Sequence, residues 1–306
     1  MKNESTAPRL GLACAIACYA LWGVLPAYWK ALAFASSFEI FAHRMLWSFV
    51  FMALVCLIGR RADPRPYFRD RRALLLLGGA GLLVASTWGI YIYAVNSAHI
   101  VEASLGYYIN PLLSIIAGMV LFKEKLTLIQ KTATGLAAAG VIYFSWDYGA
   151  FPWISVALAV LFALYGAVKK IGGYPAVPAL AVETALVAPL AVIFIAATFL
   201  RPERVFLTLQ GPWPPWGAVV GLVCGGAVTA LPLLLFARAA NAVPLSTIGF
   251  AQFLSPTLSL LLGVFVYGEP FTAAHLVCFA LIWLGLLLVS VEAAHRAGRR
   301  PAVSPE

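Results

Sequence analysis

Two short stretches of this chain carry polar side chains in apolar surroundings. One holds Ser104, Tyr107, Asn110, Pro111, Ser114 and Gly118; the other holds Gln252, Ser255, Pro256, Ser259 and Gly263. At about 100° per residue, each set falls on one face of a helix. Glycine and serine on such a face let helices approach closely. Tyr107, Asn110 and Gln252 are large and polar, and a wet central cavity explains them better. Together with Ser255 they are expected to orient a substrate. Pro111 and Pro256 fall within their helices, where each removes a backbone N–H and frees a carbonyl. Hinges, or a bend lining the substrate path, are expected there; plain adjustment of helix shape is the alternative.

The ionisable groups inside apolar stretches are few. A charge near a bilayer centre costs at least ~2.5 kcal/mol on insertion scales, so such groups usually pair or face water. Glu39, His43 and Arg44 open one apolar segment. Glu39 and His43 are i,i+4 neighbours that can share a proton or a hydrogen bond. Glu183 lies about two turns inside another segment. These three, Glu183 before Glu39 and His43, are the expected proton-coupling residues. Glu102 and His99 are expected in an outer loop, and Glu124 and Glu269 at helix ends, where capping or packing is the default role. Trp22, Trp88 and Tyr91 lie well inside their segments. They would suit an amphipathic organic substrate or cation, with ordinary helix packing as the plainer reading.

Catalytic and metal chemistry finds no footing. There is no HExxH, GxSxG or Walker A pattern, which also argues against an ATP-driven pump. Cys14, Cys18, Cys56, Cys224 and Cys278 are scattered through apolar segments without a CxxC spacing and read as packing residues. No catalytic residue, metal site or cofactor is expected.

The elements that must carry these residues follow from composition. The 306 residues are 62% hydrophobic and 11% charged, against about 45–50% and 25% for soluble domains. A soluble enzyme, a disordered chain and a disulfide scaffold are thereby excluded. Alternating ten-residue segments, the mark of a membrane β-barrel, are absent. Charge-poor runs predict helices near 9–29, 38–58, 73–95, 101–122, 128–146, 150–168, 177–199, 214–237, 245–267 and 271–291. Each is long enough to cross about 30 Å of hydrocarbon. Lys131 makes 128–146 the least apolar. The first run is too long for a signal-peptide core, despite the cleavage-like Ala33-Phe34-Ala35.

The net charge of +9 sits in short runs between the apolar segments. That distribution suits lipid and membrane topology, not nucleic acid. With the N-terminus inside, 17 Lys and Arg residues fall inside and Lys30, Arg201 and Arg204 outside. Both termini are therefore expected in the cytoplasm.

The two halves resemble each other. Residues 93–106 (YAVNSAHIVEASLG) align with 236–249 (FARAANAVPLSTIG), and Pro111, Gly118, Glu124 and Gly140 with Pro256, Gly263, Glu269 and Gly285. Five helices per half is an odd number, so the second copy must be inverted, as in secondary transporters with a site near the midplane. The expected layout is a cytoplasmic tail 1–8, a first five-helix repeat 9–146, an inverted repeat 150–291 and a cytoplasmic tail 292–306.

Several of these residues carry a family resemblance. Residues 19–23 (YALWG) with Pro26 and Tyr28-Trp29-Lys30, residues 39–44 (EIFAHR) with Trp47-Ser48, and residues 102–111 (EASLGYYINP) are similar to the RarD branch of the EamA family. So are Pro244, Gln252, Pro256 and residues 268–271 (GEPF). The resemblance spans nearly the whole chain. It implies a member of the drug/metabolite transporter superfamily: an all-α protein of the bacterial inner membrane, with ten transmembrane helices as two inverted five-helix repeats. The expected function is a secondary transporter exporting a small organic solute, metabolite or drug, by alternating access around a cavity lined by helices three, four, eight and nine. An intramembrane lipid-modifying enzyme and a passive facilitator of the same architecture are the alternatives.

Overall fold

A computed structural model of the chain describes residues 6–32, 35–58, 63–96, 100–149, 153–199, 215–268 and 272–298. In hydrocarbon, each backbone N–H and C=O must find a partner within its own segment, and a helix supplies one. The apolar runs accordingly form α1 (Thr6–Ala31), α2 (Ser37–Ile58), α4 (Arg71–Asn96), α5 (Ile100–Phe122), α6 (Leu128–Tyr148), α7 (Trp153–Gly172), α8 (Ala176–Phe199), α9 (Pro215–Ala242) and α12 (Ala273–Gly298). The short α3 (Arg65–Arg69) precedes α4. α10 (Leu245–Gln252) and α11 (Leu254–Tyr267) together form one span. Among the described residues that makes ten long helical units; eight are long and apolar enough to cross a membrane, and α5 carries a shorter apolar stretch, Gly106–Phe122. Glu269 and His99 lie outside the described residues, as do most of the two tails and the first two residues of Ala33-Phe34-Ala35.

The helix ends fall within a few residues of those expected, with two informative differences. Lys169 and Lys170, assigned to a loop by their charge, form the last turn of α7. α9 runs on through Arg238 to Ala242. Charge does not end a helix; backbone geometry does. α7 stops where Gly173 takes a φ of 60°, a left-handed conformation that glycine adopts readily. α9 stops just before Pro244, which disfavours helix in the residue preceding it.

Packing reveals the inverted repeat. α1 lies on α9 as α7 lies on α4, α1 on α11 as α7 on α5, and α2 on α9 as α8 on α4. The pairs α2·α8, α5·α10 and α6·α12 join each helix to its own counterpart. A pseudo-two-fold axis that exchanges the two halves produces this pattern. Two glycines at the α6·α12 crossing make it concrete. A Cβ on Gly140 would meet Cys278 at 3.0 Å from its carbonyl oxygen and 3.2 Å from its Cα. A Cβ on Gly285 would meet Ala133 at the same 3.0 and 3.2 Å. The two contacts interchange under one sequence offset of 145.

The outward faces are apolar. Leu57, Leu75, Val120, Ile193 and Phe265 are all exposed, a surface suited to lipid rather than water. The interior is aromatic where α1, α7 and α9 meet: Tyr19, Trp22, Phe162, Tyr165 and Phe236 pack in edge and stacked contacts.

Candidate functional site

Arg44 stands two turns into α2 and gathers residues from four other helices. Its Nε donates to Thr229 Oγ1 of α9 at 3.1 Å. Its guanidinium carbon lies 4.4 Å from the Trp29 ring centroid of α1 and 4.0 Å from that of Trp88 of α4. Tyr91 of α4 and Tyr107 of α5 lie within electrostatic reach, and their rings meet edge to face at 6.0 Å. A group approached by residues of four other helices is inside the bundle. Yet Tyr91 is 38% exposed and Tyr107 46% exposed. The cluster around Arg44, itself half-buried, is therefore partly accessible. It lies toward the end where α1 and α4 finish and α2 and α5 begin.

The opposite end is closed by charge. Lys123 adopts a left-handed φ of 53° directly after α5, a conformation that costs a non-glycine residue about 1 kcal/mol. That twist turns Glu124 across to α10. Glu124 Oε1 accepts from Lys170 Nζ at 2.6 Å and from the Leu245 N–H at 2.8 Å, and Oε2 accepts from the Ser246 N–H at 2.9 Å. A carboxylate on the first amides of a helix satisfies orphan donors and opposes the helix dipole. Burial alone would raise the Glu124 carboxyl, but the hydrogen bonds from Lys170, Ser246 and Leu245 together hold it below its ordinary value.

A second ion pair lies deeper. Lys169 Nζ donates to Glu183 Oε1 at 2.6 Å, with side chains 4% and 2% exposed. Glu183 Oε2 and the neighbouring Tyr165 hydroxyl complete no hydrogen bond of normal geometry. Glu183 also lines a pocket with Ser48, Gly81, Trp88, Thr184 and Leu233, between α2, α4, α8 and α9.

The residues expected from sequence divide. Trp88, Tyr91 and Tyr107 come together around Arg44. Trp22 lies in the aromatic cluster with Phe162 and Phe236. Asn110, one turn below Tyr107 on α5, and Gln252, the last residue of α10, are both buried. The Asn110 Oδ1 and both amide atoms of Gln252 have no hydrogen-bond partner among the described residues. Ser255 lies against α1, where its carbonyl oxygen would be 3.0 Å from a Cβ on Gly23. α5 runs unbroken through Pro111, whereas the turn at Phe253 separates α10 from α11 three residues before Pro256. Pro256 has no N–H to offer the Gln252 carbonyl, consistent with a break at that point. Glu39 accepts from the Ser36 N–H at 2.9 Å while its own N–H donates to Ser36 Oγ at 3.3 Å, a reciprocal cap at the start of α2. His43 is buried, and its Nδ1 accepts from Trp47 Nε1 at 3.2 Å.

The sequence assigned no role to Arg44, Trp29 or Lys169, and although it placed Trp22 on the first helix and Glu39 and His43 on the second, it lined the cavity with helices three, four, eight and nine. One signal was available. Arg44 is the single Arg or Lys that the charge distribution leaves within a span rather than at its ends, and an intramembrane cation is a site candidate by default.

Ten helical units among the described residues, paired half against half and apolar on their outer faces, define a polytopic membrane protein. The EamA-like transporter family matches residues 9–146 and again 152–291. An uncharacterized transporter of Bacillus subtilis, YojE, is 40% identical over 88% of this chain and 90% of its own length. The protein RarD of Escherichia coli is 36% identical over 95% and 97%. A solved crystal structure superposes with a TM-score of 0.70 over 97% of this chain and all of the other, at 18% identity, a likeness of fold. The chain belongs to the EamA-like transporter family.

Proposed function

We propose that the protein is a secondary transporter that exports a small organic solute from the cytoplasm by alternating access. One observation supports the reading: the half-buried Arg44 cluster has exposed tyrosines toward one end of the bundle, while Glu124, Lys170, Lys169 and Glu183 join helices near the other. Rocking of inverted halves exchanges two such ends. The basic bias of 17 to 3 supports a cytoplasmic closed end, and hence an outward-open state in the bacterial inner membrane.

In this reading Trp88, Tyr91 and Tyr107 give the solute aromatic contact beside Arg44, with Trp22 and Ser255 deeper along α1. The buried Asn110 Oδ1 and the Gln252 amide, without hydrogen-bond partners among the described residues, are offered to the solute as it passes. Pro111 and Pro256 are the points at which α5 and the α10–α11 span flex. Glu183 carries the coupled proton, exchanging it as Lys169 swings away, and Glu39 with His43 forms a second relay at the open end.

Purified protein in proteoliposomes tests this. Efflux of a panel of amino acids, organic cations and antibiotics is measured with and without a proton gradient. A gradient-dependent flux that falls about tenfold in Asn110→Ala or Gln252→Ala, corresponding to ~1.4 kcal/mol of lost interaction, supports the reading. Flux indifferent to the gradient means a facilitator, and normal flux in both variants removes Asn110 and Gln252 from the path.

A further inference from the structure

We propose that Arg44 is a substrate-binding cation, and that the solute is an amphipathic organic monoanion: a carboxylate on an aromatic or other flat apolar body. The proposal deepens the transporter reading and rests on it.

The argument begins with donors. A guanidinium has five N–H groups and stays ionised at any physiological pH. Arg44 directs one, Nε–H, to Thr229 Oγ1. Its other neighbours among the described residues are the Trp29 and Trp88 rings and, within electrostatic reach, Tyr91 and Tyr107, whose hydroxyls can accept a hydrogen bond but carry no charge. Trp29 and Trp88 stabilise the positive charge through their π faces, but they offer no strong acceptor to the terminal N–H groups. Among the described residues no carboxylate pairs with Arg44. Glu39, the acid on its own helix, is engaged with Ser36.

The contrast with the other interior cations is direct. Lys169 and Lys170 each have a glutamate oxygen at 2.6 Å. Had Arg44 served only to tie helices together, the same kind of partner would be expected. It stands instead half-buried beside the exposed Tyr91 and Tyr107, with a planar fork of donors. That fork matches a carboxylate with two parallel hydrogen bonds. A single guanidinium neutralises one negative charge, which favours a carboxylate over a doubly charged phosphate. An amine would meet like charge. The four rings of Trp29, Trp88, Tyr91 and Tyr107 then offer stacking and edge contacts to a flat apolar body joined to that carboxylate.

Matched probes test this. Indole-3-acetate, indole-3-acetamide and tryptamine share one ring system and differ in charge. Thermal unfolding of the purified protein in detergent is followed with increasing amounts of each. The acetate should raise the unfolding temperature saturably, and the amide and amine should not. In Arg44→Gln the apparent Kd for the acetate should rise roughly ten- to a hundredfold, the loss expected for charge-assisted hydrogen bonds. Arg44→Lys, which keeps the charge but not the fork, should fall between. Should Arg44→Gln fail to fold, the comparison of acetate with amide on the unaltered protein decides alone. An equal shift from all three probes, no shift from the acetate, or an unchanged Kd in a folded Arg44→Gln overturns the proposal. Proteoliposome flux separates the two readings. Transport confined to neutral or cationic solutes defeats the anion assignment and keeps the transporter. Saturable, Arg44-dependent binding of the acetate without flux of any solute keeps the anion site and defeats the transporter.

Discussion

Cutting the Lys169–Glu183 pair on one side should strand a charge in the core. The two atoms are 2.6 Å apart, with only 4% and 2% of the side chains exposed, so water cannot replace a lost partner. Removing one member of a buried ion pair costs about 3–5 kcal/mol, whereas replacing both by neutral groups of similar size is often close to neutral. Glu183→Gln and Lys169→Met should each therefore destabilise by about 3 kcal/mol or more, and the double variant by clearly less than their sum. At roughly 2 °C per kcal/mol for a chain of this size, each single variant should lose roughly 6–10 °C in thermal unfolding in detergent. The double-mutant cycle should return a coupling of at least ~3 kcal/mol. Flux gives the second readout: in Glu183→Gln, gradient-driven transport should collapse while solute exchange persists. Single variants within about 1 kcal/mol of the parent, or a double variant equal to the sum, would refute the reasoning, because the pair would then not be a buried and coupled one.

Glu124→Gln should cost about 1.5–3 kcal/mol at neutral pH, from the loss of charge-assisted hydrogen bonds to Lys170 and the α10 amides. The folded carboxyl is held below its ordinary value, so its contribution is present above the unfolded pKa and lost as pH falls through the folded one. The gap between parent and variant should accordingly close on acidification below about pH 4, read by unfolding at a series of pH values. Gly226→Ala would drive a Cβ into the Trp47 backbone, where α2 and α9 cross. Overpacking of that kind costs about 1–3 kcal/mol. Gly89→Ala on α4 meets nothing within 4 Å and should be neutral or slightly stabilising by unfolding temperature. A reporter active only outside the inner membrane, fused after Glu306, should stay silent; a signal from it would reverse the assigned orientation.

The ten helical units, their approximate ends and the doubling of the chain were legible in the residues themselves. Length and hydropathy are local quantities, and lipid demands a helix wherever a long apolar run occurs. The matched Pro111 and Pro256, and Gly140 and Gly285, carried the repeat because inverted copies preserve the residues on which helix crossings depend. Contacts between distant segments are a different matter. Nothing in the neighbourhood of Arg44 announces Trp29, Trp88, Thr229 and Tyr107, which four other helices bring to it. Nothing near Glu124 announces the α10 amides, more than a hundred positions away. Lys169 looked like an ordinary loop charge until the fold set it against Glu183. A side chain's partners depend on which helix faces meet, and that is decided by packing of the whole bundle, not by the periodicity of any one segment. Local pattern thus determined the elements and their number, while tertiary packing alone decided which polar groups are paired, which are stranded, and that Arg44 stands half-buried among aromatic rings.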